Sequence, residues 1–298
     1  MDVSIIIVNY NTKQLTNACI DSVVKYTSKL NHEIILVDNA SSDGSQEVFR
    51  NRHDILFIES DVNLGFGKAN NLGVEKAKGN FLFFLNSDTL LIENSIKTLH
   101  DFYIANHEKL NIGVLGCQLL NREMEVTNSG GIFPTPLNDV YLYFKVLVEK
   151  LIKFNIKNIK TDFHLSYFNI DMVSGADMFI EKNLFDKING FDQDFFLYYE
   201  ETDLQKRISN LGFHNFLIST TRIIHFEGSS FGTNKASNFK RIIIQESRNR
   251  YFRKHHSISY FFYILVDSII NWTRLFNDKY SFSDNKQFVL KNIKSYFK

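Results

Sequence analysis

Val3-Ser4-Ile5-Ile6-Ile7-Val8-Asn9-Tyr10-Asn11 opens the chain with a continuous apolar run of strand length that breaks into amides and a phenol. A run that is apolar at nearly every position suits a strand buried on both faces, as in a parallel sheet. Leu15, Cys19 and Val23 then recur at helical spacing. Glu33–Val37 reads as a second strand, and Ser41-Ser42-Asp43-Gly44-Ser45 supplies turn and N-cap chemistry for a following helix. Ile55–Ile58 is a short third strand. A helix through Ala69, Leu72 and Ala77 stops at Gly79, and Phe81–Leu85 is a fourth, fully apolar strand. This alternation predicts an α/β fold around a mainly parallel sheet.

Further along, Ile112–Leu120 and Val173–Ile180 read as strands. A helix near Glu201 carries Leu204, Ile208 and Leu211 on one face and ends at Gly212. Residues 133–170 are aromatic-rich and poorly periodic, and are expected to form a loop-and-helix insertion. With 298 residues, 44% hydrophobic and 22% charged, the chain is an ordinary folded protein. A net charge of +1 gives no bulk attraction to nucleic acid. Cys19 and Cys117 lie far apart and read as reduced, buried thiols of a cytosolic protein. The opening run has neither a basic flank nor a cleavage site, so it does not read as a signal peptide.

Polar residues follow the apolar strands in a regular way. Strand one runs into Asn9-Tyr10-Asn11, strand two into Asp38-Asn39 and strand four into Asn86-Ser87-Asp88. In an open parallel sheet these turns share the carboxyl edge, where such folds bind ligands. One carboxylate there can meet a ribose or base edge and another a divalent cation, while each singly could also cap a helix. Asn63-Leu64-Gly65-Phe66-Gly67-Lys68 brings glycine backbone and an amine toward a ligand's phosphate. Asn70 stands where a third glycine would complete a dinucleotide fingerprint, which argues against a nicotinamide dehydrogenase.

A second cluster runs from Gly190-Phe191-Asp192 to Tyr198-Tyr199-Glu200-Glu201-Thr202-Asp203. Three carboxylates in one first turn suit the helix macrodipole whatever else they do. The aromatic lead-in of Phe195, Phe196, Tyr198 and Tyr199 makes a dry wall beside which a carboxylate becomes a better general base. His225, between Ile223-Ile224 and Glu227-Gly228-Ser229-Ser230, is a candidate metal ligand alongside Asp88.

Together these segments, with Gly175-Ala176-Asp177-Met178, resemble the family-2 glycosyltransferases of GT-A fold, especially the bacterial rhamnosyltransferase-like branch. The likeness covers roughly residues 3–230 in the expected order. It implies an inverting, metal-dependent hexosyltransferase that moves a sugar from dTDP-rhamnose or a UDP-sugar to a hydroxyl of a glycan or lipid-linked glycan. The pathway implied is cell-surface polysaccharide synthesis. Residues 1–235 would be the catalytic domain, with 1–110 the nucleotide-binding half and 111–235 the acceptor half, and 236–298 a helical extension. The resemblance implies that Asp38 reads the nucleotide, within a donor-binding set of Val8, Tyr10, Asn11, Asp38, Asn39, Gly65, Lys68, Asn70, Asn86 and Ser87. Asp88 and His225 would hold Mn²⁺ or Mg²⁺. Glu201, with Glu200 and Asp203 beside it, would supply the base. Two departures stand out: Asn86 opens the metal motif where Asp is usual, and Glu200-Glu201 replaces Glu-Asp. A non-catalytic sugar-binding protein of the same fold is the competing reading.

Residues 248–276 change character. Arg248, Arg250, Arg253, Lys254, His255 and His256 precede Phe261, Phe262, Ile264, Leu265, Ile269, Trp272 and Leu275, with Asp267, Asn271 and Arg274 interrupting. The run is too broken to span a membrane. Two readings stand: an interfacial helix on the cytoplasmic face of an anionic inner membrane, or a helix packed on the catalytic domain. The oligomeric state is not legible.

Overall fold

The computed structural model describes residues 1–152, 165–226 and 237–298. Its first part is a repeating strand–helix unit: β1 (Val3–Asn9), α1 (Lys13–Tyr26), β2 (His32–Asn39), α2 (Ser45–Phe49), β3 (Leu56–Ser60), α3 (Phe66–Val74) and β4 (Phe81–Asn86). β1 pairs in parallel with both β2 and β4, and β2 with β3. The polar residues that end β1, β2 and β4 therefore lie along one carboxyl edge.

Beyond β4 come β5 (Thr89–Leu91), α4 (Ser95–Leu110), β6 (Ile112–Leu120), β7 (Gly130–Gly131), α5 (Pro136–Ile152), β8 (Tyr167–Ile170), β9 (Met172–Val173), β10 (Asp177–Glu181), α6 (Lys182–Lys187), α7 (Glu200–Asn210) and β11 (His214–His225). The sheet runs β3-β2-β1-β4-β10-β6-β11-β5, with β8 on β11 and a separate β7–β9 pair. β10 is antiparallel to β4 and β6, so the sheet is mixed but mainly parallel in its first half.

Strand periodicity sorts the core into two layers. Ile5, Ile7, Leu36, Phe83 and Leu85 face Cys19, Ile20 and Val23 of α1 and Ile96 and Leu99 of α4. Ile6, Ile35, Leu82 and Phe84 face Val74 of α3, Leu184 of α6, and Leu204 and Ile208 of α7. Each such side chain, fully buried, contributes about 1.5–3 kcal/mol. α3 lies so close to β1 that a Cβ at Gly73 would stand 2.7 Å from Ile6 Cγ2.

The structure corrects several sequence expectations. The third strand is shifted to Leu56–Ser60, and α3 ends at Val74 with single turns carrying the chain to Ala77. Val173–Ile180 is not one strand: it breaks at Ser174–Ala176, with Val173 in β9 and Asp177 opening β10. Leu211 is exposed, because the helix has already ended at Asn210. β5, too short for periodicity to reveal, pairs antiparallel with the end of β11.

Helices α5, α8 (Asn238–His255), α9 (Ser257–Arg274) and α10 (Phe282–Ser295), together with Leu197–Tyr199, form a second compact unit. The stretch 133–152 thus groups with the C-terminal helices, where the sequence reading had placed it in the acceptor half. Ser237 and Ser281 cap α8 and α10 by accepting from Lys240 N and Asp284 N. The centre of this unit is polar. Asp267 accepts from Tyr296 Oη at 2.6 Å and Asn292 Nδ2 at 2.7 Å, and pairs with Arg274 Nη2 at 2.8 Å. Asn249 Nδ2 donates to Asn292 Oδ1 and Ser295 Oγ. Within it, Tyr198 and Tyr199 both have positive φ, and Tyr199 Oη accepts from Arg248 Nε at 3.0 Å.

Candidate active site

The edge of the sheet is built on a buried polar floor. Asn9, the last residue of β1, donates through Nδ2 to Asp38 Oδ1 at 2.6 Å and accepts at Oδ1 from Thr12 and Thr16. Thr12 Oγ1 lies 3.0 Å from Ser87 Oγ, which ties the end of β1 to the turn after β4. Asp38 is fully buried, and its second oxygen accepts from Ser41 N and Gln46 Nε2. Next to it, Asn39 donates to Asn63 Oδ1 and Gly65 O and accepts from Leu64 N. Asn39 thus shapes the loop before α3. Gly65 has φ +82, and a Cβ there would stand 2.0 Å from Phe196 O. Only glycine permits that approach. Phe66 N donates to the same carbonyl at 2.9 Å, clamping the loop before α3 to the segment before α7.

The chemistry-bearing groups meet on the other side of β4. β11 ends at His225, which pairs with Thr89 of β5, and Phe226 N donates to Asp88 O at 2.9 Å. This places His225 Nε2 3.3 Å from Asp88 Oδ1 and 3.5 Å from Asn86 Nδ2. Asn86 N in turn donates to Ala176 O at 2.9 Å. The preceding residue, Gly175, lies against Glu201: a Cβ at 175 would be 3.1 Å from Glu201 Cγ and 3.7 Å from Cδ. Asp88, His225 and Glu201 are therefore joined through Asn86 and the Gly175–Ala176 backbone.

Burial raises the carboxyl pKa of both glutamates, and the neighbouring Glu201 charge adds to the effect at Glu200. Glu200 is 3% exposed, rests against Gly67 at the start of α3, and its Oε2 has no hydrogen-bond partner among the described residues. Glu201 is half-buried and accepts from Thr202 Oγ1 at 3.2 Å. Of the two, Glu201 is the one a second molecule can reach.

Residues 4–187, more than half of the chain, match the family model of Glycosyl transferase family 2. The chain belongs to that family. It is 26% identical over 208 residues to the low-salt glycan biosynthesis hexosyltransferase Agl10 of Haloferax volcanii, covering 68% of this chain and 60% of that protein. It is 31% identical over 169 residues to an uncharacterized glycosyltransferase of Haemophilus influenzae, covering 52% and 67%. A pneumococcal glycosyltransferase, GlyA, is 30% identical over 115 residues, which span 37% of this chain and 16% of that one. The chain thus covers less than two thirds of two of these relatives. The fold is also that of the mannosyltransferase PcManGT from Pyrobaculum calidifontis, solved with GDP-Man and Mn²⁺. The TM-score is 0.56 at 14% identity, over 98% of this chain and 73% of that one. Residues 1–349 of S. aureus TarS, solved with UDP, give 0.53 at 16% identity, over 99% and 89%. The GT-A architecture is shared.

For this family-2 chain the donor-binding expectations divide. Tyr10 and Asn11 are exposed, and Val8, Lys68 and Asn86 half-buried, so all five are reachable from the edge. Ser87 and Asn39 are buried in the floor described above. Asp38 is closed off by its partners and shapes the floor. Asn70, expected to face the donor, is 1% exposed and donates to Phe66 O within its own helix. Asp203, expected beside the base, is fully buried and pairs with Arg207 Nε at 2.8 Å, while Arg207 also holds Ile188 O and Gly190 O. It is a strut for the turn before α7. Of the aromatic lead-in, Phe195 is buried and Phe196 exposed, and Tyr198 and Tyr199 group with the helical unit. Glu227-Gly228-Ser229-Ser230 lies outside the described residues.

Asp88 and His225 fit a divalent cation. Their facing atoms are 3.3 Å apart, the spacing of two neighbouring ligands on one small ion, and both lie on the carboxyl edge. Among the described residues no third His, Cys, Asp or Glu joins them, so the remaining positions would fall to donor oxygens or water. Sequence reasoning placed Asn9 at the edge without its role beneath Asp38, and missed the Thr12–Ser87 bridge and Arg207. The i, i+4 spacing of Asp203 and Arg207 was the one available signal. A cavity of about 470 Å³ lined by Gly79, Tyr103, His107 and Glu181 lies at the opposite edge, where β4 begins, away from these groups.

Proposed function

We propose that the chain transfers a glycosyl group, with inversion, from a nucleoside diphosphate sugar to a hydroxyl of a glycan or lipid-linked glycan. The observation that carries this reading is the junction of Glu201 with the Asp88–His225 pair through Gly175–Ala176 and Asn86. Asp88 and His225 would hold Mg²⁺ or Mn²⁺, which when bound offsets charge growing on the departing diphosphate. Tyr10 and Asn11 present a ring and an amide to the nucleoside. Lys68, at the first turn of α3, offers its amine to the diphosphate where the helix N-terminus also favours an anion. The bond from the anomeric carbon to the phosphate oxygen breaks as the acceptor oxygen bonds that carbon from the other face. Glu201 takes the acceptor's proton, and its raised pKa strengthens it for that step.

A thermal-shift panel of UDP-, GDP- and dTDP-sugars, dTDP-rhamnose included, with Mn²⁺ identifies the donor, because a ligand that binds only the folded state raises Tm. Diphosphate release is then followed with candidate glycan acceptors. Acceptor-dependent release supports the transferase. Donor binding without release under every acceptor condition would favour a non-catalytic sugar-binding protein.

A further inference from the structure

In a water-facing helix the apolar stripe turns inward. In α9 it turns outward. Tyr260, Tyr263, Asp267 and Asn271 are buried in the polar centre of the helical unit. Ile258, Phe261, Leu265, Ile269 and Trp272, with Phe276 just past the helix end, recur every three or four residues and are all exposed, from 53% at Leu265 to 91% at Ile258. A stripe running the length of an 18-residue helix exceeds the scattered apolar exposure of a protein surface. No helix among the described residues is long and apolar enough to cross a membrane, so α9 would lie along one.

We propose that this face of α9 docks on an anionic lipid bilayer, with its phenyl and indole rings at headgroup depth. Charge on the adjoining helix selects that occupant. α10 packs on α9 and exposes Lys286, Lys291, Lys294 and, just beyond its end, Lys298, interleaved with exposed Leu290, Ile293 and Phe297. Amines beside outward apolar side chains match anionic headgroups over acyl chains. A second copy seated symmetrically on the same surface would bring like charges together. The one carboxylate of α9, Asp267, points inward and is paired, and exposed Asp278, past Phe276, is followed directly by exposed Lys279.

Trp272 is the only tryptophan of the chain and is 72% exposed, so its fluorescence reports on this face directly. The full chain is titrated with vesicles of phosphatidylglycerol and phosphatidylcholine, and with phosphatidylcholine alone. Docking shifts Trp272 emission to the blue, makes it quenchable by brominated acyl chains, and sediments the protein with anionic vesicles. High salt weakens the binding. Phe261→Glu and Ile269→Glu each lower affinity about tenfold or more with an unchanged melting curve, since both side chains point outward. An unmoved emission and no sedimentation with anionic vesicles would overturn the proposal. So would a lipid-independent blue shift that rises with protein concentration alongside dimerisation, which would assign the face to a second copy. The wild-type titration decides the matter even if a variant fails to fold.

Discussion

Glu200 and Glu201, adjacent and with the same side chain, sit in different surroundings. Glu200 is closed off with one oxygen unpartnered, and Glu201 is reachable. A carboxyl whose pKa is raised in the folded state binds more protons there than in the unfolded chain. Its stabilising contribution is therefore complete below the ordinary glutamate range, about pH 4, and is lost as pH rises through the raised value. Glu200→Gln removes that loss. Thermal melts should find the variant more stable than wild type at pH 8, by about 2–4 °C per kcal/mol recovered, and the advantage should vanish near pH 4. An advantage independent of pH would contradict the burial argument. Asp177 obeys the same sign: burial raises its pKa well above its ordinary value, while Oδ2 accepts from Cys117 N at 2.5 Å. At this scale position on the edge was legible in the sequence: Asp88 and His225 lie together there, and Glu201 lies against Gly175 beside them. The reading failed where the side chain's direction mattered. Nothing in the one-dimensional pattern distinguishes Asn70 facing its own helix from Asn70 facing a ligand, and the i, i+4 spacing of Asp203 and Arg207 permitted their pairing without deciding it.

Among the elements, those buried on both faces were the most legible. β1, β4 and β6 are continuous apolar runs, and their observed bounds match the reading to within a residue. β5 has three residues and β10 begins after a break, so each depends on a partner remote in sequence rather than on its own period. The loop before α3 carries the sharpest consequence. Gly65→Ala forces a side chain into a backbone conformation almost confined to glycine, costing about 1–3 kcal/mol, and drives its Cβ into the Phe196 carbonyl. Urea melts should register at least that loss. Amide exchange at Phe66, which donates to that carbonyl, should quicken at the same time. Protection at Phe66 equal to wild type would show that the clamp does not depend on the glycine.

At the scale of the whole molecule, the sheet unit follows the usual rule of apolar inside, and the helical unit departs from it. Its centre is held by Asp267, Arg274, Asn292 and Tyr296, with apolar residues outward on α9. Sequence inspection saw the broken apolar run of 248–276 but could not tell which face it served, because that depends on the other helices of the unit. Removing one partner of a buried ion pair leaves the other uncompensated, at a cost of about 3–5 kcal/mol. Arg274→Met should destabilise the protein by roughly that much, and Asp267→Leu combined with it should recover a large part. A double variant as unstable as the sum of the singles would show that the pair is not the linchpin of this unit.

The proposed transfer rests on Glu201 acting at the same place as Asp88 and His225. Once a donor is in hand, the most direct measurement is acceptor-dependent diphosphate release by Glu201→Gln beside wild type, with donor binding followed in parallel. Release should fall by about 10²–10⁴-fold while donor affinity stays within a few-fold of wild type. Near-normal release by the variant would contradict the assignment of the base and the site built around it.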